Sequence, residues 1–441
     1  MPTRVAFLCG LLSLECVAQQ DPMELLRQIR HKVADSISHL PRYLCTETVD
    51  RKSLEPDLWG RGRKASSCAE ILAAAEKPNA KMLLFSSDRL RLDVAIARDG
   101  EMYSWVGGGQ FEDQSLGDLV KQGATSTGAF GSYLQAIFVA EAANFSFRGE
   151  GEWNGRHVLN YTFRVPLERS GYTVGNRAIS RLIGYSGSFA ADAATLDLLR
   201  LELHTDAMPA ELEMCAAETI LDYTQVRMNN VDFLLPADVN MRIVNTDARE
   251  SRNRTVFTGC HQFLGESRLI FEEQNPTSTP EADSRSKTVN LSAGLKLSIA
   301  LAESIDLATA AAGDPVTGRL TRAVKDSSSD LTIPKGTKLN GRIFELRSSY
   351  GVATSLEFGL RWEGIELSGA NHRVELLVKS AVPGTARLPL AHSKLQEVTA
   401  EFRPDERGVG FFMLPEIGKN YRIPVGFEAE WVTLLAVPPF K

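Results

Sequence analysis

Two features predict a mainly β protein: a curved antiparallel sheet or half-barrel with packed helices, an α+β unit, followed by a small all-β barrel or sandwich. The first is two-residue hydrophobic alternation joined by tight-turn pairs, and the second is one polar, proline-containing break that splits the chain. Alternation is clearest in Arg89-Leu-Arg-Leu-Asp-Val-Ala-Ile96, Tyr161-Thr-Phe-Arg-Val165 and Leu199-Arg-Leu-Glu-Leu203. A strand sends successive side chains to opposite faces, so each of these segments buries one face and wets the other. Asp99-Gly100, Asn154-Gly155 and Asn229-Asn230 tolerate the positive backbone angles of hairpin turns and so join the strands into a meander.

A helix opens the first part. Asp21 is its N-cap, Pro22 its first residue and Glu24 the capping-box partner. Leu25, Leu26, Ile29, Val33 and Ile37 form one apolar stripe that runs until Pro41 stops the helix. A second helical stretch between Ser115 and about Ala140 carries Phe130, Tyr133, Leu134, Ile137 and Phe138 at helical spacing. It is expected to pack on the sheet.

Gln274-Asn-Pro-Thr-Ser-Thr-Pro-Glu-Ala-Asp-Ser-Arg-Ser-Lys287 has two prolines and no large apolar side chain, the composition of a linker. The expected division is therefore 1–18 signal peptide, 19–273 curved sheet with helices, 274–288 linker and 289–441 all-β barrel. In the last part Leu295-Lys-Leu-Ser-Ile299, Val374-Glu-Leu376 and Trp431-Val-Thr-Leu-Leu-Ala436 read as strands, with turns at Asn340-Gly341 and Gly369-Ala-Asn371.

Composition narrows the function. The 441 residues are 43% apolar and 24% charged, which excludes disordered, collagen-like and coiled-coil classes and leaves room for two or three cores. A net charge of -6 without long single-sign runs argues against nucleic acid. Arg4, the apolar run Val5 to Leu14 and the small residues before Gln19 make a secretory signal peptide cut after Ala18. The run is too short to span a bilayer, no later stretch is long enough, and Glu15 before Cys16 departs from a lipidation signal. The mature chain is expected in the periplasm or secreted, with no transmembrane segment.

Removal of the signal leaves Cys45, Cys68, Cys215 and Cys260. In an oxidising compartment four cysteines without a Cys-x-x-Cys pair read as two disulfides. Three connectivities are open; a sheet that curls back favours Cys45–Cys260 with Cys68–Cys215, because Cys45 lies in the first strand-like segment and Cys260 in the last.

Ser87-Asp-Arg-Leu-Arg-Leu-Asp93 and Phe189-Ala-Ala-Asp-Ala-Ala-Thr-Leu-Asp-Leu-Leu-Arg-Leu201 give residues 21–273 a resemblance to the lipoprotein-carrier (LolA/LolB-like) half-barrel superfamily. The Asp-x-x-Thr turn leading into Leu199-Arg-Leu201 carries most of it. Phe111-Glu-Asp113 and Ser126-Thr-Gly-Ala-Phe-Gly131 also resemble segments of a group of secreted bacterial proteins without an assigned activity. Gly313-Asp-Pro-Val-Thr-Gly318 and Ile333-Pro-Lys-Gly-Thr-Lys-Leu-Asn-Gly341 are similar to the β-barrel of conjugal-transfer TrbI-type proteins, where proline, any residue, glycine and Thr or Ser open a barrel strand.

The catalytic search is mostly negative. Gly184-Tyr-Ser186-Gly-Ser188 misses the nucleophile-elbow pattern at its last residue and reads as a hairpin bend. Ser284-Arg-Ser-Lys287 lies in the linker, and Gly313 to Arg319 lacks the Lys and Ser/Thr of a phosphate loop. No His-Glu-x-x-His occurs, and the seven histidines are scattered. Glu112, Asp113 and Asp118 beside a glycine-rich loop suit a hard cation, yet Ser115 with Asp118 is also a capping box, which is the reading preferred here. Arg61 to Lys64 and Arg249 to Arg254 are read as a solvated loop and strand face.

The expectation is an exported cell-envelope binding protein rather than an enzyme, with no cofactor and no metal. A lipid or other apolar ligand held in the curved sheet would be lined by Leu92, Val94, Phe145, Phe147, Tyr161 and Phe163, although such residues also serve to fill a core. The alternatives are a structural module that binds an envelope protein partner and an unrecognised hydrolase.

Overall fold

The computed structural model describes residues 21–57, 67–77, 80–97, 100–108, 111, 116–175, 178–228, 230–262, 291–328, 331–386, 398–418 and 420–434. The expected signal peptide and linker, Arg61 to Lys64, Ser284 to Lys287, Asp99, Asn229 and residues 112–115 lie outside these residues.

Among the described residues, the period-two segments of the N-terminal half give the main sheet ten antiparallel strands: β1 Tyr43–Pro56, β2 Met82–Ala97, β3 Gly100–Trp105, β4 Asn144–Trp153, β5 Arg156–Val165, β6 Tyr185–Asp192, β7 Leu198–Thr205, β8 Met214–Met228, β9 Val231–Asn245 and β10 Glu250–Gln262. Their order is β3-β2-β1-β10-β9-β8-β7-β6-β5-β4. A meander is interrupted once, where β1 returns to pair with the last strand, β10. Asn154 and Gly155 both adopt positive φ in the β4–β5 hairpin, a conformation that asparagine and glycine tolerate. Gly184-Tyr-Ser186 is not a bend: Ser186 sits within β6, paired to Arg164 and His204, and is presented at no elbow.

Helix α1, Pro22–Ser38, is capped by the Asp21 side chain, which accepts from the Met23 amide at 3.0 Å. Glu24 does not complete a capping box; it accepts from the Gln28 side chain one turn on. Leu25, Leu26, Ile29 and Val33 are the buried stripe. The second helical stretch is broken into short pieces, Leu116–Leu119, Ser132–Leu134 and a π-helical turn Gln135–Val139. Helix α2, Cys68–Ala75, begins with a capping box between Ser67 and Glu70.

Cys45 bonds Cys260 across the neighbouring strands β1 and β10, and Cys68 bonds Cys215, tying α2 to β8. The second bridge spans 147 residues of sequence and closes a long loop. Its loss through Cys68→Ser with Cys215→Ser will lower the unfolding free energy by about 2–5 kcal/mol, read by urea titration.

The C-terminal half contributes β11 Lys296–Leu301, β12 Pro315–Leu320, β13 Lys338–Tyr350, β14 Thr354–Leu367, β15 Ala370–Arg373, β16 Leu376–Ala381, β17 Thr399–Glu401, β18 Val409–Leu414 and β19 Glu428–Thr433. The sheet runs β16-β19-β11-β12-β13-β14-β18-β17, with β15 hairpinned on β14, and it curls until β16 and β17 touch. Trp362, Trp431, Phe358, Phe412 and Phe427 fill its centre. Gly336, at positive φ, makes the turn that opens β13. Asn340-Gly341, expected as a turn, lies inside β13 instead. A Cβ on Gly341 would sit 2.3 Å from the Arg361 carbonyl oxygen and 2.9 Å from the Trp362 ring, so the glycine serves close packing and not a bend.

The two halves share one sheet. β2 is 16 residues long and β3 only six, so most of one β2 edge is left without β3. An open edge exposes unpaired backbone groups. Here the C-terminal half covers it: Ser86, Ser87 and Asp88 pair with Ser349, Ser348 and Arg347 of β13, and Ala312 exchanges backbone hydrogen bonds of 2.8 Å with Arg89 and Arg91. Arg91 also pairs with Asp314, and Ser87 Oγ lies 2.9 Å from the Tyr350 hydroxyl.

Candidate functional site

The concave face of the N-terminal sheet is the apolar side of its alternating strands, and helical segments cover it. α1 and the Ser132–Leu134 and Gln135–Val139 turns lie over β4 to β8. Their contact is an aromatic stack. Phe138 meets Phe189 at a centroid distance of 5.0 Å, Tyr161 stacks on Phe189 at 5.0 Å, and Phe145 lies 6.1 Å from both Phe138 and Phe189.

The six expected lining residues fall into two neighbouring clusters. Tyr161 and Phe163 are buried and Phe145 and Phe147 partly buried beneath α1 and the 132–139 turns. Leu92 and Val94 are fully buried in a second cluster with Tyr43, Cys45, Leu116, Val120 and Phe130. Cover side chains occupy the space that an open cavity needs. Sheet and cover thus pack side chain against side chain, and none of the six residues lines the two hollows at the junction with the C-terminal half.

Few polar contacts hold the cover. Tyr161 donates to the Pro22 carbonyl oxygen at 2.7 Å, the Arg30 Nε to the Phe138 carbonyl at 2.9 Å, and Lys32 pairs with Asp197. Arg30 also sits over the Phe145 ring, 5.7 Å from its centroid.

Sequence reasoning missed a buried acidic and phenolic group in this interior. The inward face of β1 reads Tyr43, Cys45, Glu47, Val49 and Arg51. Glu47 is 4% exposed, and its carboxyl is pushed from 4.5 up to about 8, first by burial and then by the charge of Glu101. Glu101 accepts from the Tyr103 hydroxyl at 2.6 Å and from the amides of Gly128 and Phe130 at 2.7 and 3.1 Å. Burial drives the Tyr43, Tyr103, Tyr133 and Tyr223 hydroxyls well above their ordinary range. The Tyr43 and Tyr223 hydroxyls have no hydrogen-bond partner among the described residues. The signal was available in the strand alternation, which sets Glu47 on the face of Cys45 and Val49.

Among the described residues no group of three or more His, Cys, Asp or Glu side chains is placed to hold a metal. The basic run near β10 is ion-paired: Arg252 to Glu250 at 2.6 Å, Arg254 to Asp238 at 2.6 Å, and Arg249 to Glu55 and Asp247 at 3.6 Å each. No helix among the described residues is long and apolar enough to cross a membrane.

Comparison with known proteins gives a likeness to solved structures alone. No family profile and no curated protein matches the chain. It is similar to a domain named for outer-membrane lipoprotein sorting from Vibrio parahaemolyticus, at 11% identity over 56% of this chain and 94% of that one, with a TM-score of 0.27. A DUF1329 family protein from Desulfovibrio piger matches at 9% identity over 57% and 98%, TM-score 0.27. A LolA superfamily protein from Nitrosomonas europaea matches at 9% over 56% and 97%, TM-score 0.24. At these scores the likeness adds nothing to the argument about function.

Proposed function

We propose that this chain is an exported binding protein of the cell envelope, non-enzymatic, that holds a lipid chain or other apolar ligand between its N-terminal curved sheet and the helical cover. The observation that carries the reading is the nature of the cover. It meets the sheet through apolar side chains and a few side-chain hydrogen bonds, with no strand pairing to break, so an apolar guest can replace Phe138 and its neighbours against Phe145, Phe147, Tyr161 and Phe163. A guest gains about 1.5–3 kcal/mol for each large side chain's worth of surface it buries, so a chain that covers two such areas offsets the displaced contacts. Leu92 and Val94 extend the same face under the 116–130 segment. Two disulfides fit an oxidising compartment.

The test is thermal unfolding of delipidated protein with and without palmitate or phosphatidylglycerol micelles. Ligand that binds only the folded state raises the melting temperature with concentration. A saturable rise supports the reading. No shift, with capture of an envelope protein in its place, would give the function to the alternative assembly module.

A further inference from the structure

The junction of the two halves holds a second constellation, on the same face of β1 and β2 as the apolar interior and beyond its end. Four adjacent strands, β10, β1, β2 and β13, run in register there. Ser251 faces Ser53, Ser53 faces Ser86 and Ser86 faces Ser349; two residues along, Asn253, Arg51, Asp88 and Arg347 make the next row. Side chains two apart share a face, so both rows point the same way and form one polar floor.

Residues 120–124 make the roof. The Arg51 Nη1 donates to the Gln122 carbonyl oxygen at 2.6 Å, and the Asn253 side chain donates to the Ala124 carbonyl at 2.8 Å. Gly123 has φ +80, and a Cβ there would lie 2.7 Å from the Arg51 guanidinium, so the roof can approach its floor only through glycine. Between roof and floor is a hollow of about 160 Å³, continued by a smaller one of about 40 Å³ that reaches Trp105 and Phe344. Arg51, Asp88, Gln122 and Arg347 line both.

We propose that this hollow binds a neutral, hydroxyl-rich ligand of single-sugar size, a monosaccharide or the end unit of a glycan. Three features select that class. The hydroxyls of Ser53, Ser86 and Ser251 have no side-chain partner among the described residues and each can donate and accept. Charge is already balanced: Arg51 is held by both carboxylate oxygens of Asp88 at 2.6 Å, and Arg347 meets Glu345 at 2.9 Å. On the floor no unmatched cation is left to select an anion: alternation along β1 turns the Lys52 side chain to the other face of the sheet, and the exposed Lys121 borders only the smaller hollow. Finally, the hollow is well below the roughly 300–1,000 Å³ that encloses a drug-sized molecule, and it joins a hydroxylated floor to an aromatic end, which suits a ring with a hydroxyl rim and an apolar C–H face.

The experiment is saturation-transfer NMR on the full chain with glucose, galactose, mannose and N-acetylglucosamine as probes, and with glucuronate and inorganic phosphate as anionic contrasts. At least one neutral sugar will bind. Ser53→Ala with Ser251→Ala will weaken it about tenfold, and Ser86→Phe, which fills the hollow, will abolish it. Should Ser86→Phe fail to fold, the double alanine variant, which leaves the Arg51–Asp88 pair intact, decides alone. Failure of every neutral sugar to bind, binding unchanged in the variants, or binding by glucuronate or phosphate only would overturn the proposal.

Discussion

Phe138→Ala will lower the unfolding free energy by about 3–5 kcal/mol, and an apolar guest will restore much of it. Phe138 is 1% exposed and touches the sheet through Phe189 and Phe145, so truncation opens a cavity between cover and sheet that the strands cannot collapse to fill. On the proposed function that cavity is the ligand space without its plug. Urea titration with and without a saturating short-chain alkanol reads both halves of the expectation; a guest at 100 times its Kd adds about 2.7 kcal/mol. A loss below about 1 kcal/mol would mean that the cover is not seated through Phe138. A full loss with no recovery would mean that the space collapses and holds no guest.

The second large effect is pH-dependent and comes from Glu47. Its carboxyl titrates near 4.5 when unfolded and at about 8 when folded, so the native state keeps a proton that the unfolded state has released between those values. Stability is therefore full below about pH 4.5, falls as pH rises through the window, and reaches its floor above pH 8. Each unit of the slope is worth about 1.4 kcal/mol for a single proton. Glu47→Gln keeps the shape, removes the ionisation and will flatten the profile, raising the melting temperature at pH 8 above that of the parent. A slope unchanged in the variant would assign it to another group.

What the sequence disclosed follows from how local each signal was. Alternation in Arg89 to Ile96 marks β2 because the periodicity of a strand is written in neighbouring residues. The Asp21 cap and the Leu25, Leu26, Ile29 and Val33 stripe give α1 for the same reason. Glycines were harder to read. The Asn154-Gly155 pair is a turn, whereas Asn340-Gly341 has the same letters and is a strand, because the packing of Trp362 against Gly341 comes from a residue 21 positions away. Function-bearing groupings were the least legible. The Ser251, Ser53, Ser86 and Ser349 row exists only through the register of four strands drawn from both halves. The six apolar residues on β2, β4 and β5 were recognisable as inward-facing, but whether a space beside them is open or filled depends on Phe138 and α1, which only the fold brings there.

Native mass spectrometry of the protein, purified from the envelope of the cell that makes it, tests most directly whether an apolar ligand occupies the N-terminal interior. Organic extraction and lipid analysis of the same sample identify the mass. The expected result is a stoichiometric lipid that is lost on delipidation and regained on adding it back. A bare protein mass with no lipid recovered, or a stable complex with another envelope protein in place of lipid, would contradict it.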